Sequence, residues 1–212
     1  MSEGEHLQLE RLVFFSDAVF AIAITLLIIE LRVPEIDRAA SEAEALQALL
    51  RLTTQFLGFV ISFFVIGAYW IGHSRTYRLI QRVDEGLLVR NLLFLMSIAF
   101  IPFPTAFVSE YAYRPTAVIL YATSLGVIGL LHYWQWRYAS GGGRLLASNT
   151  PARLVRYVSA RTLITPAVCV LVIALAFVAP RQAMSGLFGI FLFNRLVDRR
   201  FRDVAATAAG HR

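Results

Sequence analysis

Long apolar runs, separated by short breaks that carry arginine, set the pattern of this 212-residue chain. A helix crossing about 30 Å of hydrocarbon needs about 20 mostly apolar residues. Six stretches are candidates, at about 12–31, 53–72, 87–109, 116–136, 158–179 and 183–197. The pattern predicts an all-α integral membrane protein, a single domain over 1–212 with six transmembrane helices. The sixth stretch is the shortest and contains Asn194 and Arg195. Pro34, Pro115 and Pro180 punctuate span ends, whereas Pro102, Pro104 and Pro166 fall inside spans. Each of those three removes a helical hydrogen bond, so kinks are expected there. Ala43 to Leu50 reads as a short interfacial helix behind the acidic Glu42 and Glu44. Segment 139–151, with Gly141-Gly142-Gly143, reads as a flexible connection.

Composition removes the soluble alternatives. The chain is 58% hydrophobic and 16% charged, against about 25% charged in a soluble domain. The lone cysteine, Cys169, excludes a disulfide framework and a Cys-based zinc site. All 20 basic residues are arginine, and with 14 acids the net charge is +6. Where the arginines fall says more than their sum. Six spans put both termini on one side, and that side collects 15 of the 20 arginines. The positive-inside rule then makes both termini cytoplasmic, in a multi-pass protein of the cell (plasma) membrane. Glu3, Glu5 and Glu10, with no Arg or Lys among the first ten, argue against a signal peptide. Tyr69, Trp70, Tyr77, Tyr133, Trp134, Trp136 and Tyr138 are expected at the membrane interfaces. The tail Asp198-Arg199-Arg200-Phe201-Arg202 is placed to touch anionic headgroups or simply to enforce topology. Arginines that flank spans call for no nucleic acid.

Polar residues at membrane depth are costly, so they are where function is sought. The first span carries Arg11, Phe15, Ser16 and Asp17, and then an apolar run broken only by Thr25. The second ends in Tyr69-Trp70-Ile71-Gly72-His73-Ser74-Arg75, and the third begins near Arg90-Asn91. These groups lie at similar depth, so a buried network linking Asp17 and Ser16 to His73, Arg75 or Asn91 is expected. At about 100° per residue, Ile22, Leu26 and Ile29 share roughly 60° of arc, Thr25 borders it, and Asp17 projects about 140° away. Spacing alone leaves that stripe facing lipid, another helix or a pore.

Arg11-x-x-x-Phe15-Ser16-Asp17 followed by Ala-Val-Phe-Ala-Ile-Ala-Ile-Thr-Leu-Leu resembles the first-helix signature of the endosomal and lysosomal potassium channels, the transmembrane protein 175 family. Tyr69-Trp70-x-x-His73-x-Arg75 and the stretch from Asn91-Leu92-Leu93 to Ile101-Pro102-Phe103-Pro104-Thr105 are similar to it as well. Prokaryotic members often carry a second histidine where this chain has Ser74, so no role transfers to that position. The resemblance implies a potassium-permeable channel with no cofactor, its first helices lining a central pore in a homotetramer. It implies a hydrophobic constriction at Ile22, with Leu26 and Ile29 as further rings. Thr25 matches a threonine layer linked to potassium preference. Arg11, Phe15, Ser16, Asp17, Trp70, His73 and Asn91 match positions that bind helices together and hold the pore helix in rotation. No TVGYG-type filter loop occurs in the sequence. The resemblance also implies monovalent cations as the permeant species and membrane lipids as the surrounding partners.

A secondary ion transporter is the alternative, but the paired broken helices it would show in two related halves are hinted at only by the prolines. An enzyme is disfavoured: there is no H-E-x-x-H, Asp17 has no second intramembrane aspartate, and His132 reads as an interface residue.

Overall fold

A computed structural model describes residues 3–112, 114–143, 145–147 and 150–201. Arg144, Arg202 and Arg212, which entered the charge count above, lie outside them. Helix α1 (Glu3–Leu26) tightens into a 3-10 turn at Leu27–Glu30. It is followed by α2 (Glu42–Arg51), α3 (Thr53–Tyr77), α4 (Glu85–Ala99), α5 (Pro102–Glu110), α6 (Pro115–Ser140) and α7 (Ala152–Val178). The described chain ends with α8 (Pro180–Ala183), a 3-10 stretch Met184–Phe188, and α9 (Gly189–Arg200). Among the described residues, five helices are long and apolar enough to cross a membrane: Gly4–Glu30, Thr53–Tyr77, Glu85–Glu110, Pro115–Ser140 and Ala152–Val178.

The sixth expected span, 183–197, is no single long apolar helix. It is broken into short helical pieces, and Arg195, Asp198, Arg199 and Arg200 make its last turns polar. It nevertheless runs back antiparallel along α7. Gly186 lies against Val172, Gly189 against Val168, and Asp198 bonds to Tyr157 and Arg161.

The prolines act in two ways. Pro102 and Pro104 divide the third span, with α4 ending at Ala99 and Pro102 opening α5, where its missing N–H costs least. Pro166 stays inside an unbroken α7. A Cβ added to Gly129 of α6 would come within 2.6 Å of the Pro166 ring, so this glycine is what allows α6 and α7 to close on each other there. Helix α6 is central, packing on α4, α5 and α7, and α1 lies against α3 and α4. The inward face of α1 is Leu12, Ser16, Phe20, Ala23 and Leu27, all buried.

Two expectations are corrected at the bundle's edges. Within the 139–151 segment, residues 145 and 146 are pinned rather than free: Leu145 and Leu146 are buried, and the Gln81 N–H donates to the Leu145 carbonyl at 2.8 Å. Gly142 makes that turn with φ 67°, a value open to glycine at little cost. Tyr69, Tyr77 and Trp136 are buried rather than interfacial. Each found a partner inside the bundle: Tyr69 donates to the Leu125 carbonyl at 2.6 Å, Tyr77 accepts from Gln135, and Trp136 donates to Ser159 at 3.1 Å. Trp70 and Trp134 do remain exposed. The expected interfacial helix is α2, closed by a Ser41–Glu44 capping box. Hydrogen bonds from the Ser41 N–H and hydroxyl hold the Glu44 carboxyl below its ordinary pKa.

Candidate functional site

The polar residues of the first three spans meet in the interior. Asn91, on α4, faces α1, α3 and α6 at once, and its amide uses both ends. Its Nδ2 donates to Ser16 Oγ at 2.9 Å. Its Oδ1 accepts from His73 Nε2 at 3.0 Å and from Gln135 Nε2 at 3.0 Å. Ser16 passes its own proton to the Leu12 carbonyl at 2.8 Å, and Gln135 also donates to the Tyr77 hydroxyl at 2.6 Å. Ser16, His73, Asn91 and Gln135 are fully buried. The carbonyl oxygen of Asn91 can only accept, so His73 carries a proton on Nε2 and donates it there. That ring stacks between Tyr77 and Phe94, with centroids at 4.2 and 5.4 Å. Four helices are thus tied through one side chain, and the rotation of α1 is fixed by the Ser16 link.

Asp17 is not part of this network. It turns to the side and accepts a hydrogen bond from Trp70 Nε1 at 2.8 Å, near the protein's outer surface. Arg11 and Phe15 are exposed and lie away from the cluster. Arg75 is exposed as well and is not among the hydrogen-bond partners of Asn91. Two further residues belong with the network. Thr76 and His132 share a hydrogen bond of 3.1 Å between Thr76 Oγ1 and His132 Nε2, and both are buried. His132 is therefore an interior residue, not an interfacial one. The signal for it was the pair His132 and Gln135, one helical turn apart and therefore on one face of α6.

The opposite face of α1 is open. Ile22, Leu26 and Ile29 are 57%, 39% and 67% exposed in the single chain, and Thr25 is exposed among them. The 3-10 winding after Leu26 sharpens the alignment. Residues three apart eclipse in that geometry, which sets Ile29 above Leu26. Thr25 Oγ1 donates to the Ile22 carbonyl at 2.9 Å. Its proton is thereby committed to the helix, and its oxygen lone pairs point outward. Among the described residues, no three His, Cys, Asp or Glu side chains converge as metal ligands.

This architecture has known counterparts. The family described as "Endosomal/lysosomal potassium channel TMEM175" matches over residues 11–102, which hold both the buried network's core and the open face of α1. A potassium channel of Chamaesiphon minutus is 33% identical over 172 residues, covering 80% of this chain and 84% of its own. A potassium channel of Streptomyces collinus is 32% identical over 202 residues, covering 92% and 97%. The crystal structure of a lysosomal potassium-selective channel TMEM175 homolog from Chamaesiphon minutus matches with a TM-score of 0.75 and 28% identity, over 92% of this chain and 98% of that one. With relatives this similar along nearly their whole length, the chain belongs to the TMEM175 family.

Proposed function

We propose that this chain is one subunit of a homotetrameric, potassium-permeable channel whose pore is lined by the open face of α1. The observation that carries the reading is the pairing of opposite faces on that helix. One face is locked by Ser16 and Asn91, and the other presents Ile22, Thr25, Leu26 and Ile29 with no cover from its own chain. One stripe cannot enclose a conduit, whereas a closed cyclic assembly of four can. The relatives named as potassium channels point to the same cation.

In this reading, Ile22 forms the narrowest ring, with Leu26 and Ile29 above it. A ring of aliphatic side chains offers no ligands, so it dewets and blocks when narrow and conducts hydrated ions when slightly wider. The Thr25 hydroxyls, their protons turned away, present oxygens to a passing cation and favour potassium modestly. The α8–α9 stretch serves as the sixth crossing, because it retraces α7. Both termini are then cytoplasmic in the cell membrane, by the positive-inside rule. Asp17 lies at the subunit contact. A carboxylate with one hydrogen bond, facing lipid, costs kcal/mol, and a neighbouring subunit removes that exposure.

The test is a potassium-gradient flux assay in liposomes. Ile22→Ala and Ile22→Asn are both expected to raise leak severalfold over wild type, and unchanged flux in both sinks the constriction. Asp17→Ala is expected to shift the purified protein from tetramer toward smaller species on gel filtration. A normal tetramer would remove Asp17 from the contact.

A further inference from the structure

A cleft of about 940 Å³ opens between α3, α7 and the returning 184–198 segment, on the side of the bundle away from α1. Its walls are aliphatic and aromatic over most of their length, including Phe64, Ala68, Val158, Leu187 and Phe191. One end is different. Arg75, on the last turn of α3, and Arg78, the residue that ends it, stand there, both exposed, and among the described residues neither meets a carboxylate. Across the cleft at the same end, Arg161 is already neutralised by Asp198 and held by Tyr157. The cleft mouth therefore carries two unmatched positive charges above an apolar channel.

We infer that this cleft is a binding site for an anionic glycerophospholipid, with its phosphate at Arg75 and Arg78 and its acyl chains between α3 and α7. Depth supports this occupant. From Leu154 at the mouth to Thr165, α7 descends about 17 Å at 1.5 Å per residue, close to one leaflet of a core about 30 Å thick. Charge selects the headgroup: basic pockets between transmembrane helices favour anionic lipids, at about 1 kcal/mol per arginine near the surface. The site requires the chain to be embedded in a bilayer and is independent of the pore reading.

Native mass spectrometry on the detergent-purified full chain tests it, using phosphatidylglycerol and phosphatidylcholine with identical acyl chains. The wild type is expected to retain phosphatidylglycerol more tightly. At about fivefold per arginine, the double variant Arg75→Gln/Arg78→Gln loses about thirtyfold in phosphatidylglycerol affinity and a much smaller factor in phosphatidylcholine affinity, because choline already offsets that lipid's phosphate. Ala68→Trp, which fills the apolar section, lowers retention of both lipids. Arg51→Gln, on α2, changes neither. Equal retention of the two lipids by the wild type overturns the site, as does phosphatidylglycerol binding that survives the double variant. If Ala68→Trp instead breaks the oligomer on gel filtration and leaves lipid retention intact, the cleft is a seam between copies and the inference fails. Potassium flux measured on the same preparations reports on the pore separately.

Discussion

Ser16 and Thr25 are two hydroxyls on one helix, nine residues apart, and both spend their proton in the same way. Ser16 donates to the Leu12 carbonyl at 2.8 Å and Thr25 to the Ile22 carbonyl at 2.9 Å. Nine residues at about 100° each amount to two and a half turns, so the two oxygens point in opposite directions. The Ser16 oxygen is then used again, accepting from Asn91 Nδ2 in a fully buried cluster. The Thr25 oxygen stays exposed, with its lone pairs free. The same local chemistry makes one hydroxyl a fastener and leaves the other available to an ion. What separates them is the neighbouring helix, not the residue.

The sharpest break of this contrast is Asn91→Leu. It leaves the His73 Nε2–H without an acceptor and removes the links to Ser16 and Gln135. A buried polar group left unpaired costs about 1–3 kcal/mol, so the variant is expected to lose about 3 kcal/mol in a reversible unfolding titration in mixed micelles. Ile22→Asn, on the open face, is expected to change the same titration by no more than about 0.5 kcal/mol while altering flux. If the two variants destabilise equally, the helix does not have one structural and one functional face.

Much of this division was legible before any coordinates. The polar clusters at Ser16-Asp17, His73 and Asn91 stood at similar depth, and depth is readable from span boundaries. The partition among them was not. Asp17 and Ser16 are adjacent, yet about 100° of rotation sends one to Trp70 and the other to Asn91. That choice depends on how far α3 and α4 stand from α1, which no spacing records. Tyr77 and His132 fit a membrane interface by residue type, which hides their place in the interior, and nothing in the spacing singles out Gln135 or Thr76. Burial between α3 and α6 decided the matter. The opposite error occurred in the 139–151 segment. Three glycines suggest a free tether, but Leu145 and Leu146, two and three residues after the last of them, are apolar, and they anchor it against Ile80. The break of the third span at Pro102 and the survival of α7 through Pro166 show the same dependence on context. Both prolines lack an N–H, but only Pro166 faces a glycine that lets a neighbouring helix press close.

The finest test of the comparison exchanges the two hydroxyls for methyl groups. Ser16→Ala removes the acceptor of a buried amide proton and is expected to cost about 1 kcal/mol; membrane hydrogen bonds average about 0.6 kcal/mol. Thr25→Val keeps shape and branching at an exposed position, so its stability should stay within about 0.5 kcal/mol of wild type. Its effect belongs to permeation. If four outward oxygens contribute together about as much as one net hydrogen bond, about 1 kcal/mol, the potassium-to-sodium permeability ratio falls by about fivefold from reversal potentials. Thr25→Ser restores the oxygen without the methyl group and is expected to recover most of the ratio. Recovery by Ser but not by Val assigns the effect to the oxygen. A ratio that follows side-chain volume instead, unchanged in Val and shifted in Ser, would make Thr25 a spacer and leave ion preference to the width set by Ile22.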